Sequence, residues 1–251
     1  MEKIKIFDVE VLAANREELF LAAANMIGEG GAISTVNPEI LYDSIKNEEL
    51  RSALSDSLCI PDGFGVERSI RKKGVFTERF PGVELGEALL SVFSVRLGII
   101  GGEEGVAKRA IDNLCAKYPS VTPLFSLSGY NIDKEEIRKL ISQKVPDIVF
   151  VCLGSPKQEI FIKEIKDCSE RTLFIALGGS VDIYAGDKKR APRIVRRLRG
   201  EWIYRILSEP KRIKRLPKLF LYAKESRKIG KFKAKISKNS KKNEKNAPFF
   251  K

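Results

Sequence analysis

The side chains available for acid–base chemistry are restricted in this chain, because its 251 residues include no histidine. Histidine is the commonest general base and the commonest metal ligand in proteins. Any proton transfer must therefore fall to Asp, Glu, Lys, Tyr or Cys. Among the carboxylates, Asp62 lies in a Pro-Asp-Gly triplet directly after the apolar residues 58–60. The same triplet is a common turn signature, so the position alone is compatible with a structural role.

Other polar side chains stand in similar positions. Thr35 and Asn37 follow an apolar stretch and precede a proline suited to the first turn of a helix, so taken alone they are best interpreted as helix caps. Two further positions are less usual for a purely structural role. Arg79 lies in the loop sequence ERFPG, and Gln158 follows Lys157 at the start of a predicted helix.

Alternating strands and helices must position these side chains. Apolar runs at 95–102, 146–156 and 171–180 read as buried strands. Between them lie segments with helical periodicity, EEGVAKRAIDNLCAKYP, KEEIRKLISQKVP and KQEIFIKEIKDC. Strands and helices at this spacing predict βαβ units. We therefore expect an α/β fold with an open, Rossmann-like, mostly parallel sheet flanked by helices.

Small residues end three of the predicted strands, at Gly101-Gly102, Gly154-Ser155 and Gly178-Gly179-Ser180. Open α/β sheets bind ligands at the carboxyl ends of their strands, and a helix N-terminus beside such a turn suits a phosphate. For any single turn, a purely conformational need for glycine is the simpler interpretation. The chain contains neither G-x-G-x-x-G nor G-x-x-x-x-G-K-[ST], which disfavours a dinucleotide enzyme and a Walker-type site.

Charge divides the chain sharply. Residues 1–186 carry 22 Lys and Arg against 28 Asp and Glu, whereas residues 187–251 carry 24 against 5, a net charge of +19. A basic segment of this kind indicates an acidic partner, and anionic lipid and nucleic acid are the usual candidates. No helix-turn-helix, zinc-finger or RNP pattern accompanies the charge, yet a nucleic-acid-binding protein remains an alternative at this point.

Cysteine spacing and hydropathy indicate the cellular compartment. The four cysteines are far apart and form no C-x-x-C pair, so we expect buried free thiols rather than a zinc or redox site. No run reaches the roughly 18 uncharged apolar residues that span a bilayer, and the N-terminus lacks signal-peptide features. We predict a cytoplasmic protein.

The basic segment RGEWIYRILSEPKRIKRLPKLF (199–220) contains the only tryptophan of the chain. Trp202 and Tyr204 suit the boundary between water and apolar surroundings, and the neighbouring Lys and Arg suit anionic head groups. The segment is compatible with a helical, membrane-facing appendage. For an isolated basic run, a solvated helix whose Trp packs on the body is the simpler interpretation.

Seven motifs occur in order along the chain: TVNPE, PDG, ERFPG, LGSPKQE, GGSVDIYAG, RAP and EWIYR followed by EPKRIKR. Together they resemble the WecG/TagA/CpsF family of glycosyltransferases over roughly residues 2–220. It is this family resemblance of the whole chain that favours the membrane-facing appendage over the solvated helix. The resemblance implies transfer of a sugar, commonly N-acetylmannosamine, from a UDP-sugar to polyprenyl-diphosphate-linked N-acetylglucosamine. Such reactions serve teichoic acid, common antigen and capsule synthesis. The uronic acid of the same sugar and glucose remain alternative donor sugars.

The resemblance also assigns roles to individual residues. Asp62 matches the general base, and the pocket residues are Thr35, Asn37, Arg79 and Gln158. The diphosphate of the substrate is assigned to Arg205, Arg212 and Arg215. If that segment were one continuous helix, the three guanidinium groups would share about one face, but Pro210 interrupts it. The family's tendency to self-associate implies a homo-oligomer, and its site implies peripheral association with the inner face of the cell membrane and no nucleic-acid partner.

The chemistry of the residues is compatible with these roles. Inverting transfer needs one base for the acceptor hydroxyl, and a pocket carboxylate is the natural choice in a chain without histidine. The departing UDP develops negative charge that a metal, an arginine or a helix N-terminus must meet. No D-x-D triplet occurs, so we predict a metal-independent enzyme without a cofactor. We expect residues 1–192 to form the glycosyltransferase body, 193–222 the basic helical appendage and 223–251 a disordered Lys-rich tail.

Overall fold

A computed structural model describes residues 1–197 and 200–227, without the side chains of Arg193, Arg205, Pro210, Lys211 and Arg212. Its strands are β1 Glu2–Ile6, β2 Val9–Ala13, β3 Gly31–Val36, β4 Leu58–Pro61, β5 Arg96–Gly101, β6 Thr122–Leu127, β7 Ile148–Cys152 and β8 Leu173–Ala176. They form one sheet in the order β1-β2-β4-β3-β8-β7-β5-β6. Only the β1/β2 pair in this described sheet is antiparallel. The predicted open, mostly parallel α/β fold is confirmed.

Helices cover both faces of the sheet. They are α1 Arg16–Ala24, α2 Pro38–Asp43, α3 Glu48–Ser55, α4 Phe64–Arg71, α5 Gly82–Val92, α6 Val106–Lys117, α7 Lys134–Lys144, α8 Lys157–Ile165, α9 Ser180–Tyr184, α10 Arg193–Arg197, α11 Glu201–Ser208 and α12 216–227. Short 3-10 turns lie at Lys166–Cys168 and Pro210–Arg215. The helices predicted after the strands at 95–102 and 146–156 correspond to α6 and α8.

Burial on both faces explains why the central strands read as continuous apolar runs. All five residues of β7 are buried. Ile148 and Phe150 pack against the cluster that includes α1, α5, α6 and α9. Val149 and Val151 face the opposite side, where they pack with α7 and α8.

The first two strands form a hairpin at the edge of the sheet that the sequence analysis did not predict. Its two-residue turn is Phe7-Asp8, and both residues have positive φ, +48° and +67°. A two-residue hairpin turn of type I′ requires this left-handed backbone at both positions, which is usually supplied by Asn-Gly or Asp-Gly. The usual sequence signal is therefore missing here.

The C-terminal segment is helical, as predicted, but bends at Glu209 before the 3-10 turn that begins at Pro210. Helix α12 then continues through residue 227, so the predicted start of the disordered tail at 223 lies inside a helix. The rest of the predicted tail lies outside the described residues. The division into body and appendage at residue 193 stays a prediction.

Helix α12 is anchored to the body by Tyr222, which is buried. Its ring contacts Phe7 edge to face, with ring centroids 5.5 Å apart. Its hydroxyl donates a hydrogen bond to Ser69 Oγ over 2.9 Å. Tyr222 thus joins the core formed by β1, β2 and α2 to α4.

Candidate active site

A cleft of about 1000 Å³ lies along the carboxyl ends of the parallel strands. It is bordered by the residues that follow β3, β4, β5, β6, β7 and β8, because parallel strands all end at the same edge of the sheet. Of the residues assigned to the site from the sequence, this cleft brings together Thr35, Asn37, Asp62, Gln158 and Arg215.

Asp62 follows β4 directly and is half-buried. Its backbone N–H donates to Val36 O over 2.8 Å, which aligns the end of β4 with the end of β3. Gly63, the next residue, has φ +93° and caps α4, so the chain turns sharply away after Asp62. This turn leaves Asp62 bordering the cleft, and its assignment as the general base stays a prediction.

Thr35 is buried one residue before the end of β3. Its hydroxyl donates to Ala176 O of the adjacent strand β8 over 3.1 Å. A Cβ added at Gly82 would lie only 2.7 Å from Thr35 Oγ1. The absence of a side chain at Gly82 therefore lets the N-terminus of α5 approach Thr35 at the wall of the cleft.

Asn37 is the N-cap of α2. Its Oδ1 accepts hydrogen bonds from the backbone N–H groups of Glu39 and Ile40 over 2.9 and 3.1 Å. The capping role considered from the sequence is thus present. Because Asn37 also borders the cleft, its assignment as a pocket residue stays a prediction alongside that structural role.

Gln158 joins the loops that follow β7 and β8. Its Oε1 accepts from Gly154 N over 3.2 Å and from Gly178 N over 2.8 Å. Its Nε2 donates to Glu159 Oε1 over 2.9 Å. The side chain is buried, so these three bonds fix the floor of the cleft where β7 and β8 end.

The neighbouring Glu159 is also buried. Burial raises the pKa of its carboxyl group above the ordinary range, although hydrogen bonds from Gln158 and Ser155 oppose the shift. Glu159 does not border the cleft in the described structure. Burial thus favours the neutral form of Glu159, and its Oε2 has no hydrogen-bond partner among the described residues.

The glycines at the strand ends serve tight turns. Gly102, Gly154 and Gly178 all have positive φ, +76°, +76° and +51°. The conformational interpretation offered from the sequence therefore applies to all three. They also border the cleft, where their small size lets a ligand approach the backbone.

Arg79 is not among the residues that border the cleft in the described structure. Its Nη2 donates to Arg196 O over 3.1 Å, and its Nη1 lies 4.0 Å from Glu201 Oε2. These contacts connect the loop before α5 to α10 and α11. Arg79 thus helps to attach the C-terminal helices to the body, and its assignment to the pocket stays a prediction.

Arg215 is held at the cleft by an acidic helix. Its Nη1 lies 3.5 Å from Glu39 Oε2, and Lys218 Nζ lies 2.7 Å from Asp43 Oδ2. Both carboxylates belong to α2 or its end. The side chains of Arg205 and Arg212 lie outside what the structure describes, so a shared face for the three arginines is not tested.

Sequence reasoning assigned no role to Arg190, which borders the cleft and contacts Glu84 on α5. The only available signal was the RAP motif that begins with this arginine. Glu84 lies 106 positions earlier in the chain, so no local pattern could have paired the two residues.

The cysteines are free, as expected, but only Cys59 and Cys152 are buried, while Cys115 and Cys168 are partly exposed. Burial raises the pKa of both buried thiols to about 12. Over residues 1–197 and 200–227, no cluster of three metal-ligating side chains was found. None of the helices described is long and apolar enough to cross a membrane.

Comparison with known proteins decides the family. The profile of the "Glycosyl transferase WecG/TagA/CpsF family" matches residues 4–231, which is most of the chain. This chain belongs to the WecG/TagA/CpsF family of glycosyl transferases. The family resemblance stated from the motifs is confirmed.

Two curated relatives carry the same name, N-acetylglucosaminyldiphosphoundecaprenol N-acetyl-beta-D-mannosaminyltransferase. The protein from Bacillus subtilis (strain 168) is 36% identical over 199 residues, covering 77% of this chain and 78% of the relative. The protein from Staphylococcus aureus (strain MW2) is 35% identical over 236 residues, covering 90% and 93%. These comparisons give no support to the nucleic-acid-binding alternative.

Proposed function

We propose that this member of the WecG/TagA/CpsF family transfers N-acetylmannosamine from a UDP-sugar to N-acetylglucosaminyldiphosphoundecaprenol. The observation that carries the proposal is the position of Asp62 in the strand-end cleft, beside Thr35 and Asn37. The relatives named for this reaction align over most of the chain. Assembly of teichoic acid or a related cell-surface polysaccharide is the use that the proposal implies.

In the proposed inverting reaction, a hydroxyl oxygen of the acceptor sugar forms a bond to the anomeric carbon of the donor. The bond from that carbon to the UDP oxygen breaks, and its electrons leave with UDP. Asp62 accepts the hydroxyl proton as the oxygen attacks. The reaction needs no oxidant or cofactor, and its independence of metal ions is part of the proposal.

The acceptor is amphipathic, and the C-terminal helices offer a surface that suits it. Large apolar side chains are exposed there: Ile194, Trp202, Ile203, Leu207, Ile213, Phe220 and Leu221. Basic residues are interspersed among them along the sequence, although Trp202 and Ile203 are adjacent, as are Phe220 and Leu221. Such a surface suits the interface of an anionic membrane, so we include peripheral binding to the inner face of the cell membrane in the proposal. We also propose, as a separate point, that the protein self-associates.

A UDP-release assay tests the function directly. The donor would be UDP-N-acetylmannosamine and the acceptor a short-chain polyprenyl-diphosphate-N-acetylglucosamine, with UDP-N-acetylmannosaminuronic acid and UDP-glucose as alternative donors. We expect release that requires both substrates, is fastest with UDP-N-acetylmannosamine and persists in EDTA. No acceptor-dependent release from any donor would contradict the proposed transfer, and loss of activity in EDTA alone would contradict its metal independence.

The membrane component needs a separate assay. Sedimentation with vesicles containing anionic phospholipid should recover the wild-type protein, and replacing Leu207 and Phe220 together with serine should reduce recovery. The matched control replaces Leu21 with serine, because that side chain is also exposed but lies on α1. Equal recovery of the wild type and the double variant would contradict membrane binding through these helices.

A further inference from the structure

Three arginines surround a single carboxylate beside the cleft. Glu84 on α5 accepts hydrogen bonds from Arg16 and Arg190, and from Arg196 Nη1 over 2.9 Å. Burial alone would raise the pKa of Glu84, but the hydrogen bonds and charges of Arg16 and Arg190 outweigh it and lower the pKa. The carboxylate is therefore ionised at neutral pH, and this group of four side chains carries a net charge of about +2.

The cluster is partly shielded from water. The side chains of Glu84 and Arg190 are each 18% exposed and that of Arg196 is 23% exposed, whereas that of Arg16, at the outer side, is 47% exposed. The Nε atoms of Arg190 and Arg196 are buried without a hydrogen-bond partner among the described residues. Excess positive charge at a site with limited solvent screening attracts an additional anion more strongly than the same charge in water.

Arg190 connects this cluster to the cleft. Among the three arginines it is the one that borders the cleft, together with Lys188 and Lys189 immediately before it. Glu84 holds Arg190 at the first turn of α5. The residues that begin this helix, Gly82 and Val83, also border the cleft, and Gly82 approaches Thr35 closely. Arg190 is thus placed on the α5 side of the cleft.

A second set of cations borders the cleft beside α2. Arg215 and Lys218 come from the C-terminal segment and lie against Glu39 and Asp43 of α2. The proposed reaction brings together two diphosphates, one in the donor and one in the lipid acceptor. The resemblance assigns the C-terminal arginines to a substrate diphosphate without specifying which of the two. We assign them to the acceptor and the cations on the α5 side to the donor, so that each diphosphate has its own set of cations.

The geometry points to Arg190, held by Glu84, as a binding residue for the diphosphate of the UDP-sugar donor, an inference that rests on the proposed function. Its guanidinium would contact the β-phosphate, which gains negative charge as the bond to the anomeric carbon breaks. Arg190 neither takes nor gives a proton in this step. Arg16 and Arg196 share the Glu84 carboxylate with Arg190. These contacts position the Arg190 guanidinium before the donor binds.

Calorimetric titration of the full chain with UDP, UMP and uridine tests this inference without the acceptor. In Arg190→Gln we expect UDP affinity to fall about 10- to 100-fold, the range for loss of charge-assisted hydrogen bonds. UMP and uridine lack the β-phosphate, so their affinities should change by less than about threefold. Arg190→Lys, which keeps the charge but loses the planar fork, should lie between the wild type and Arg190→Gln.

Two further variants separate the inference from general effects. Arg109→Gln removes an arginine that pairs with Asp187 over 2.6 Å, with side chains 51% and 41% exposed, and it should keep wild-type UDP affinity. Arg215→Gln should also keep UDP affinity, because the inference assigns that residue to the acceptor. If Arg215→Gln loses UDP affinity while a folded Arg190→Lys retains it, the donor diphosphate binds at the C-terminal segment and the inference is wrong.

Turnover distinguishes failure of the inference from failure of the proposed function. If the wild type transfers sugar but Arg190→Gln binds UDP within twofold of the wild type, only the inference is overturned. If the wild type binds UDP with the expected dependence on Arg190 but transfers no sugar to the acceptor, the donor site stands and the proposed reaction fails. An active Arg190→Gln should show a lower kcat as well as weaker donor binding, since the contact strengthens in the transition state.

Discussion

Replacing Gln158 with alanine is expected to destabilise the protein by removing the side chain that joins the loops after β7 and β8. Three hydrogen bonds disappear, two to the backbone N–H groups of Gly154 and Gly178 and one to Glu159. At about 0.5–1.5 kcal/mol for each bond, the free energy of unfolding should fall by about 1.5–4.5 kcal/mol. The lower part of this range applies if water reaches the two half-buried glycine amides.

Urea unfolding followed by circular dichroism measures this difference. The matched control is Gln143→Ala, which truncates an exposed glutamine on α7 and should change stability by less than about 0.5 kcal/mol. The reasoning is refuted if Gln158→Ala unfolds with the same free energy as the control. A loss of transfer activity without a loss of stability would instead show that Gln158 acts on the substrate, as the family resemblance implies, and not through the loops.

Three other substitutions test separate parts of the account. Gly86→Ala should lower stability by about 1–3 kcal/mol in urea unfolding, because its Cβ would lie 2.6 Å from Tyr184 Oη. Asp147→Asn should lower the free energy of unfolding at neutral pH, and this loss should shrink in acid. Burial alone would raise the pKa of Asp147, but Arg96 lowers it. The stabilisation from the ionised carboxylate is therefore present above about pH 4 and is lost below it. Tyr222→Ala should loosen α12 from the body and speed hydrogen exchange of its amides.

Each substitution has an informative control. Gly179→Ala adds a Cβ with no atom within 4 Å and should change stability little. Wild type and Asp147→Asn should converge as the pH is lowered, and a constant difference from pH 7 to 3 would contradict the assigned ion pair. For the C-terminal anchor, Tyr222→Phe keeps the ring contact with Phe7 and loses only the bond to Ser69. Exchange in α12 as fast in Tyr222→Phe as in Tyr222→Ala would contradict anchoring by the ring.

The parallel part of the fold was predictable because its strands are buried on both faces. A strand such as β7, whose five residues are all buried, gives an uninterrupted apolar run that ends in the glycine of a tight turn. The β1/β2 hairpin was not predictable in the same way. Its turn uses Phe7 and Asp8 in the left-handed region, and Tyr222 then packs on Phe7 from the far end of the chain.

The part of the candidate site that was predictable consists of residues that lie at the ends of the parallel strands. Asp62 and Thr35 lie at the ends of adjacent strands, so sequence motifs and fold class together bring them to one cleft. Long-range ion pairs carry no such local signal. The contact of Arg190 with Glu84 and the contact of Arg79 with Glu201 depend on how the C-terminal segment packs, which no spacing in the sequence reports.

The most direct test of the account is the rate of acceptor-dependent UDP release by Asp62→Asn. The account predicts a loss of about 10²- to 10⁴-fold, the usual contribution of a general base, with the fold and UDP affinity retained. Asp8→Asn is the matched control, since Asp8 lies in the β1/β2 turn at the amino end of β2, whereas Asp62 follows the carboxyl end of the parallel neighbour β4, and asparagine tolerates the φ of +67° at Asp8. Turnover of Asp62→Asn equal to that of Asp8→Asn would contradict the central claim that Asp62 is the catalytic base.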